Sequence, residues 1–147
     1  AIPILTHTGI EMSGKRVFDA VTDGWVHYEA IRLLSENFPA SACTVIMDLT
    51  VEAEAFGAQV IFSEDEVPSI VGRLVSDRKS IERLTIPTLD CARIPQYLLA
   101  NSLAANSLNK PVLAGCIGPF SLAGRPSITP GQKPAHSQTV ARSLPLP

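Results

Sequence analysis

Thr44-Val45-Ile46-Met47-Asp48-Leu49-Thr50-Val51-Glu52-Ala53-Glu54-Ala55-Phe56-Gly57 reads as a buried strand that delivers a carboxylate at its end and runs into a short helix. The strand, from Cys43 to Met47, is rich in β-branched residues and does not alternate. That is the pattern of a strand covered on both faces of a parallel sheet. Val51 to Phe56 fits a helix with Gly57 as its C′ stop. Far downstream, Pro111-Val112-Leu113-Ala114-Gly115-Cys116-Ile117-Gly118-Pro119-Phe120-Ser121-Leu122-Ala123-Gly124 repeats the theme, a strand over 111–117 ending in a Gly-Pro loop. A parallel α/β barrel places such loops, at the carboxyl ends of its strands, on its active face.

The intervening sequence fits the same architecture. Ile2 to Leu5 is a short apolar run and Thr6 to Gly14 is polar with two glycines, so a first strand and a loop are expected there. Arg16 to Thr22 suits one or two helical turns. From Asp23 to Phe38, Val26, Ala30, Leu33 and Leu34 recur at helical spacing, with Asp23 as cap and Pro39 as stop. Gln59 to Phe62 reads as a short strand, and Ser63 to Val67 as an acidic loop. Asp77 to Leu84 reads as a helix capped by Ser76 or Asp77. Ile94 to Leu108 is the next good helix, with Pro95 tolerated in its first turn and Leu98, Leu99, Leu103 and Ala104 on one face. Strands alternating with helices imply βαβ units.

Composition narrows the function classes. The chain has 147 residues, 46% of them hydrophobic, which is enough for one domain with a real core. A net charge of −2 offers no electrostatic basis for binding nucleic acid or an anionic membrane. No apolar run reaches the roughly 18 residues of a spanning helix, and no signal peptide opens the chain. Cys43, Cys91 and Cys116 are odd in number and widely spaced, which argues against a disulfide framework and for a cytoplasmic location. Cys43 and Cys116 sit in apolar runs and are expected to be buried and inert.

Asp48 is the leading catalytic candidate. A carboxylate closing an apolar strand can hold hydrogen-bond donors or exchange a proton where the strand opens onto a cleft. It would equally serve as the cap of the helix that follows. Glu52 and Glu54 read as solvated helix-face residues. Gly118, Pro119, Phe120 and Ser121 form a loop able to bring backbone close to a substrate, because Gly118 has no side chain. Ser121 has no visible base and is not read as a nucleophile. His7 follows the first strand and is the remaining substrate-binding candidate. His27, beside Trp25 and Tyr28, is expected at a helix surface or packing edge. No His-x-Cys, CxxC or HExxH spacing occurs, so no metal site is expected in this chain.

These motifs carry a family resemblance. Asp48 followed by Leu49-Thr50-Val51-Glu52-Ala53-Glu54-Ala55-Phe56-Gly57-Ala58 resembles the second-strand signature of the uroporphyrinogen decarboxylase family. Gly115-Cys116-Ile117-Gly118-Pro119-Phe120-Ser121-Leu122-Ala123 is similar to that family's third-strand Gly-Pro-Phe-Thr-Leu-Ala loop. The resemblance implies an eight-stranded TIM barrel roughly twice this length or more. Residues 1–125 would then be its N-terminal portion, a partial (β/α)8 barrel of about three βα units.

Two kinds of enzyme share that family. Decarboxylases remove the acetate carboxyls of uroporphyrinogen without a cofactor, in porphyrin biosynthesis, and their essential aspartate aligns with Asp48. Methyltransferases move a methyl group from a corrinoid protein to a zinc-bound thiolate. The loop Thr6-His7-Thr8-Gly9-Ile10-Glu11-Met12-Ser13-Gly14-Lys15 has no arginine before Arg16 and contributes Glu11, so a polyanionic tetrapyrrole would meet little positive charge. The resemblance therefore points to the cobamide-dependent branch. Zinc and a corrinoid protein are implied for the intact enzyme, with neither a cofactor nor the family's zinc ligands in this chain.

After Arg125 the character changes. Residues 126–147 hold five of the twelve prolines and no acidic or aromatic residue, the composition of a disordered tail. The expectation is a truncated product with a reading-frame shift near Arg125, and a start at Ala1 that lies downstream of the true one. Such a piece is expected to be inactive alone and to self-associate through an exposed sheet edge. The competing possibilities are a true decarboxylase and a non-catalytic piece that docks on another barrel fragment or a corrinoid protein.

Overall fold

Asp23 opens the central helix of the molecule: its Oδ1 accepts the N–H groups of Trp25 at 2.8 Å and Val26 at 3.3 Å, so two otherwise orphaned first-turn donors are satisfied. The helix runs over Gly24–Asn37 and ends at an extended Phe38, where Lys110 Nζ donates to the carbonyls of Ser35 at 2.5 Å and Phe38 at 3.0 Å. A cation at the negative end of the helix complements its dipole.

The computed structural model describes residues 6–124. The strand expected over 2–5 and the tail expected over 126–147 lie outside them. In chain order the elements are α1 (Thr6–Met12), α2 (Val17–Thr22), α3 (Gly24–Asn37), β1 (Cys43–Thr44), α4 (Val51–Ala55), β2 (Gln59–Ile61), β3 (Ser69–Val71), α5 (Arg78–Glu82), α6 (Ile94–Ser107), β4 (Val112–Leu113) and α7 (Pro119–Gly124). The loop expected over Thr6–Gly14 is instead largely α1, closed by Ser13 donating its hydroxyl to the Ile10 carbonyl at 2.6 Å. Gly9 permits this: a Cβ there would sit 2.5 Å from the Ala30 carbonyl, so the glycine lets α1 lie directly on α3.

Helix α3 separates two clusters of core side chains. Ile10, Val17, Ala20, Val21, Ala30 and Ile46 form one, and Ile31, Cys43, Val45 and Ala104 form the other. Its contact with α6 is equally close. The Gly24 N–H donates to Gln96 Oε1 at 2.9 Å, and a Cβ at Gly24 would meet the Gln96 carbonyl at 2.5 Å and Leu99 Cβ at 3.0 Å. Backbone cannot yield as a side-chain tip can, so Gly24→Ala should cost about 1–3 kcal/mol of stability, read as a lowered urea midpoint with unchanged slope. An unchanged midpoint would mean that the two helices separate freely.

Strands β1 and β4 are parallel, with Cys43 opposite Val112 and Thr44 opposite Leu113. Strand β2 pairs with β3 in an antiparallel hairpin that no sequence signal had suggested beyond the Gln59–Phe62 run. That run is therefore not a third strand of the parallel sheet. The ladder of β1 also stops earlier than expected. Beyond Thr44 the Ile46 N–H donates to His27 Nε2 at 2.9 Å, a side chain standing where a neighbouring strand would have accepted. His27 is thus fully buried rather than at a helix surface, and Cys116 is exposed rather than inert in a core.

Candidate functional site

Because β1 and β4 run in the same direction, the segments leaving them, 45–49 and 114–117, emerge on the same side. Together with α6 they border an open cavity of about 450 Å3. Its wall is mostly apolar, from residues such as Met47, Leu98, Leu113 and Ile117, and it carries the polar groups of Asp48, Glu52, Tyr97 and Asn101. Among the described residues no lysine, arginine or histidine lines it.

Asp48 is buried, and every lone-pair direction of its carboxylate is engaged. Oδ1 accepts from the Thr50 N–H at 2.8 Å and the Thr50 hydroxyl at 2.7 Å. Asp48 thus closes a local turn onto Thr50 and does not cap the helix that follows, whose N-cap is Thr50 itself. Oδ2 accepts from Arg93 Nη1 at 2.5 Å and, more loosely, from the Tyr97 hydroxyl at 3.3 Å.

Arg93 is the residue that organises this end of the sheet. It is 7% exposed and sits at the cap position before α6. Beyond Asp48 its guanidinium donates to Glu54 at 2.6 Å, to the Thr50 hydroxyl at 2.8 Å and to the Val21 carbonyl at 3.3 Å, with the Phe62 ring 4.9 Å below it. Burial works against its charge, but the hydrogen bonds and charges of Asp48 and Glu54 outweigh that and raise its pKa. The residue before it, Ala92, holds a left-handed backbone with φ of 50°. A non-glycine residue in that conformation stores strain, which the ion-pair network offsets.

Tyr97 follows Arg93 by one helical turn and therefore shares its face. Burial, and then the Asp48 charge, push its hydroxyl well above the ordinary range, so it stays protonated as a donor. Its ring meets that of His27 edge to face at 4.8 Å. Burial pulls the His27 pKa down to about 4 against the opposing pull of Asp48. The imidazole is accordingly neutral, with Nε2 accepting from Ile46.

The two carboxylates of α4 have opposite fates. Glu54 turns to Arg93, while Glu52 faces the cavity and accepts the Ile117 N–H at 2.9 Å. Neither is the solvated helix-face residue expected from sequence, and Glu52 ties the two motifs together. The other substrate-binding candidates stand differently. Gly118, Pro119, Phe120 and Ser121 directly follow the lining segment but are exposed, and the last three form the start of α7 rather than a loop. His7 is exposed on α1 and is not among the lining residues.

Arg93, Tyr97 and Thr50 were not singled out as site residues from sequence. The available signal was Arg93 as the one charged residue bordering the uncharged stretch Ile94–Ser107, with Tyr97 at i+4. Among the described residues no group of three His, Cys, Asp or Glu side chains could hold a metal ion. The zinc implied for the methyltransferase branch thus does not fit the donor sets described here. No helix among them is long and apolar enough to cross a membrane.

Comparison with known proteins bears on the family and the fold. No curated protein sequence matches the chain significantly. The fold is similar to the solved structure of a methyltransferase from Methanosarcina mazei, with a TM-score of 0.72 at 21% identity. That similarity covers 82% of this chain and 37% of the other, so the chain spans well under half of that protein's length. The uroporphyrinogen decarboxylase (URO-D) family model matches residues 1–133. With strand-end carboxylate, Gly-Pro segment and parallel strands all in place, the chain belongs to the uroporphyrinogen decarboxylase family, a family of TIM barrels.

Proposed function

We propose that this chain forms the N-terminal βα units of a TIM-barrel enzyme that moves a methyl group from a corrinoid protein to a thiol, and that it is inactive without the rest of the barrel. The observation that carries this reading is the charge of the cavity. Two carboxylates, Asp48 and Glu52, line it, and among the described residues no cationic side chain does. Uroporphyrinogen carries eight carboxylates, and its acetate groups would meet like charge in a largely apolar wall, a cost of several kcal/mol. A neutral or cationic group meets no such penalty. The similarity to a methyltransferase fold supports the same branch.

Asp48 contributes by position. Its Oδ2 faces the cavity through the long 3.3 Å contact with Tyr97, the most readily exchanged of its four hydrogen bonds. A substrate donor takes the place of the tyrosine hydroxyl there while Arg93 and Thr50 keep the carboxylate fixed. Zinc, in the intact enzyme, would be held by residues other than those described and would activate the acceptor thiol. The corrinoid protein is the methyl donor, and the compartment is the cytoplasm. The isolated chain would self-associate through an exposed sheet edge.

The test is a pair of assays on the intact barrel enzyme. Methyl transfer from a methylated corrinoid to a thiol is expected, with uroporphyrinogen I or III returned unchanged. Carboxylate loss from uroporphyrinogen without methyl transfer would overturn the assignment and make Asp48 a ligand of pyrrole nitrogens.

A further inference from the structure

The cavity contains one carboxylate whose chemistry is not used up. Asp48 spends both oxygens on Thr50, Arg93 and Tyr97, and Glu54 is paired with Arg93. Glu52 is different. Its Oε1 accepts the Ile117 N–H at 2.9 Å, while Oε2 has no hydrogen-bond partner among the described residues. Among the described residues no arginine, lysine or histidine lines the cavity to neutralise it.

We propose that Glu52 is a second ligand-receiving carboxylate of this cavity, beside Asp48, and that its ligand presents a cationic or N–H-bearing head on an apolar body. Three features of the cavity converge on this. The backbone bond to Ile117 immobilises the carboxylate in advance, so little side-chain freedom is lost when a donor arrives. The remaining wall is apolar, with Met47, Leu49, Leu98 and Leu113 suited to an apolar body. A lone charge in an apolar wall interacts more strongly with an opposite charge than it would in water. The same geometry couples binding to the fold: pulling on Glu52 pulls on Ile117, and therefore on the Gly118-Pro119 segment one residue later. This inference rests on the cavity being the functional site.

The experiment titrates the 147-residue chain with benzylammonium, benzyl alcohol and benzoate, following amide shifts by NMR. These probes share one apolar body and differ in head-group charge. Benzylammonium is expected to bind with a shift at the Ile117 amide, benzyl alcohol more weakly, and benzoate weakest. Glu52→Gln keeps a carbonyl oxygen for the Ile117 N–H but removes the charge. It should weaken benzylammonium by about tenfold or more while leaving benzyl alcohol nearly unchanged, since a hydrogen bond to a charged group is worth about 1.5–3 kcal/mol. Benzoate binding to the unaltered chain as well as benzylammonium does, or an E52Q chain that binds benzylammonium as tightly as the unaltered chain, overturns the role of Glu52 while the cavity stands as a ligand site. Failure of all three probes to bind overturns the cavity reading as well. The charge comparison on the unaltered chain decides the matter even if E52Q folds poorly.

Discussion

Arg93→Met should cost about 3–5 kcal/mol of unfolding free energy, the largest loss expected from any single substitution outside the apolar core. Methionine fills much of the same volume, so the effect isolates the charge. Arg93 is 7% exposed and the Asp48 side chain 2%. Removing the guanidinium leaves Asp48 buried with no cation and Glu54, at 21% side-chain exposure, half-compensated by solvent. It also strands the Thr50 hydroxyl and the Val21 carbonyl, each of which accepts from Arg93. Against a total stability of about 5–15 kcal/mol, this is enough to populate unfolded chain at ordinary temperatures.

A double-mutant cycle separates charge from packing. Asp48→Asn removes the anion but keeps an oxygen for the Thr50 N–H. The double variant R93M/D48N should therefore be more stable than the sum of the single losses predicts by at least about 1 kcal/mol. Strict additivity of the two losses in urea unfolding would show that the ion pair is incidental. Relief of strain gives a companion measurement. Ala92 must hold a φ of 50° to place Arg93, so Ala92→Gly should be neutral or mildly stabilising where an ordinary loop alanine would lose stability on the same change.

What the sequence revealed and what it concealed follow from the range of the interactions. The caps at Asp23 and Asp77, the turn at Gly57 and the long helices are set within a few residues, and each stands where the spacing placed it. Asp48 stood out in the sequence because a carboxylate closing an apolar run leaves a local trace. Arg93 left none. It lies 45 residues from Asp48 and 39 from Glu54, and nothing at position 93 announces that its partners converge there. Glu52 and Glu54 were misread for a related reason. On a five-residue helix, solvent, a distant arginine and a distant amide are indistinguishable by pattern. The pairing of β2 with β3 escaped because Ser69–Val71 is three residues long, too short for alternation to register.

His27 was the other misreading, and it leads to the second large effect. A histidine between Trp25 and Tyr28 on an amphipathic helix looks like a boundary residue, yet it is fully buried and serves as an acceptor for Ile46. Its folded pKa of about 4 lies below the 6.5 of an unfolded chain, so between those values the unfolded state binds the extra proton. Stability from neutral His27 is therefore complete above pH 6.5 and is lost as pH falls toward 4, up to about 3 kcal/mol in all. Protonation would also put a second donor against the Ile46 N–H, opening the strand that carries Asp48. Urea unfolding at pH 7.5, 6.5, 5.5 and 5.0 should give a flat plateau followed by a decline that begins well before ordinary carboxylates titrate. His27→Gln supplies a non-titrating acceptor for the Ile46 N–H. It should start from a lower stability at pH 7.5 and lose much less between pH 6.5 and 5.0. Parallel declines in the two proteins would place the acid sensitivity elsewhere and release His27 from its role in holding the end of β1.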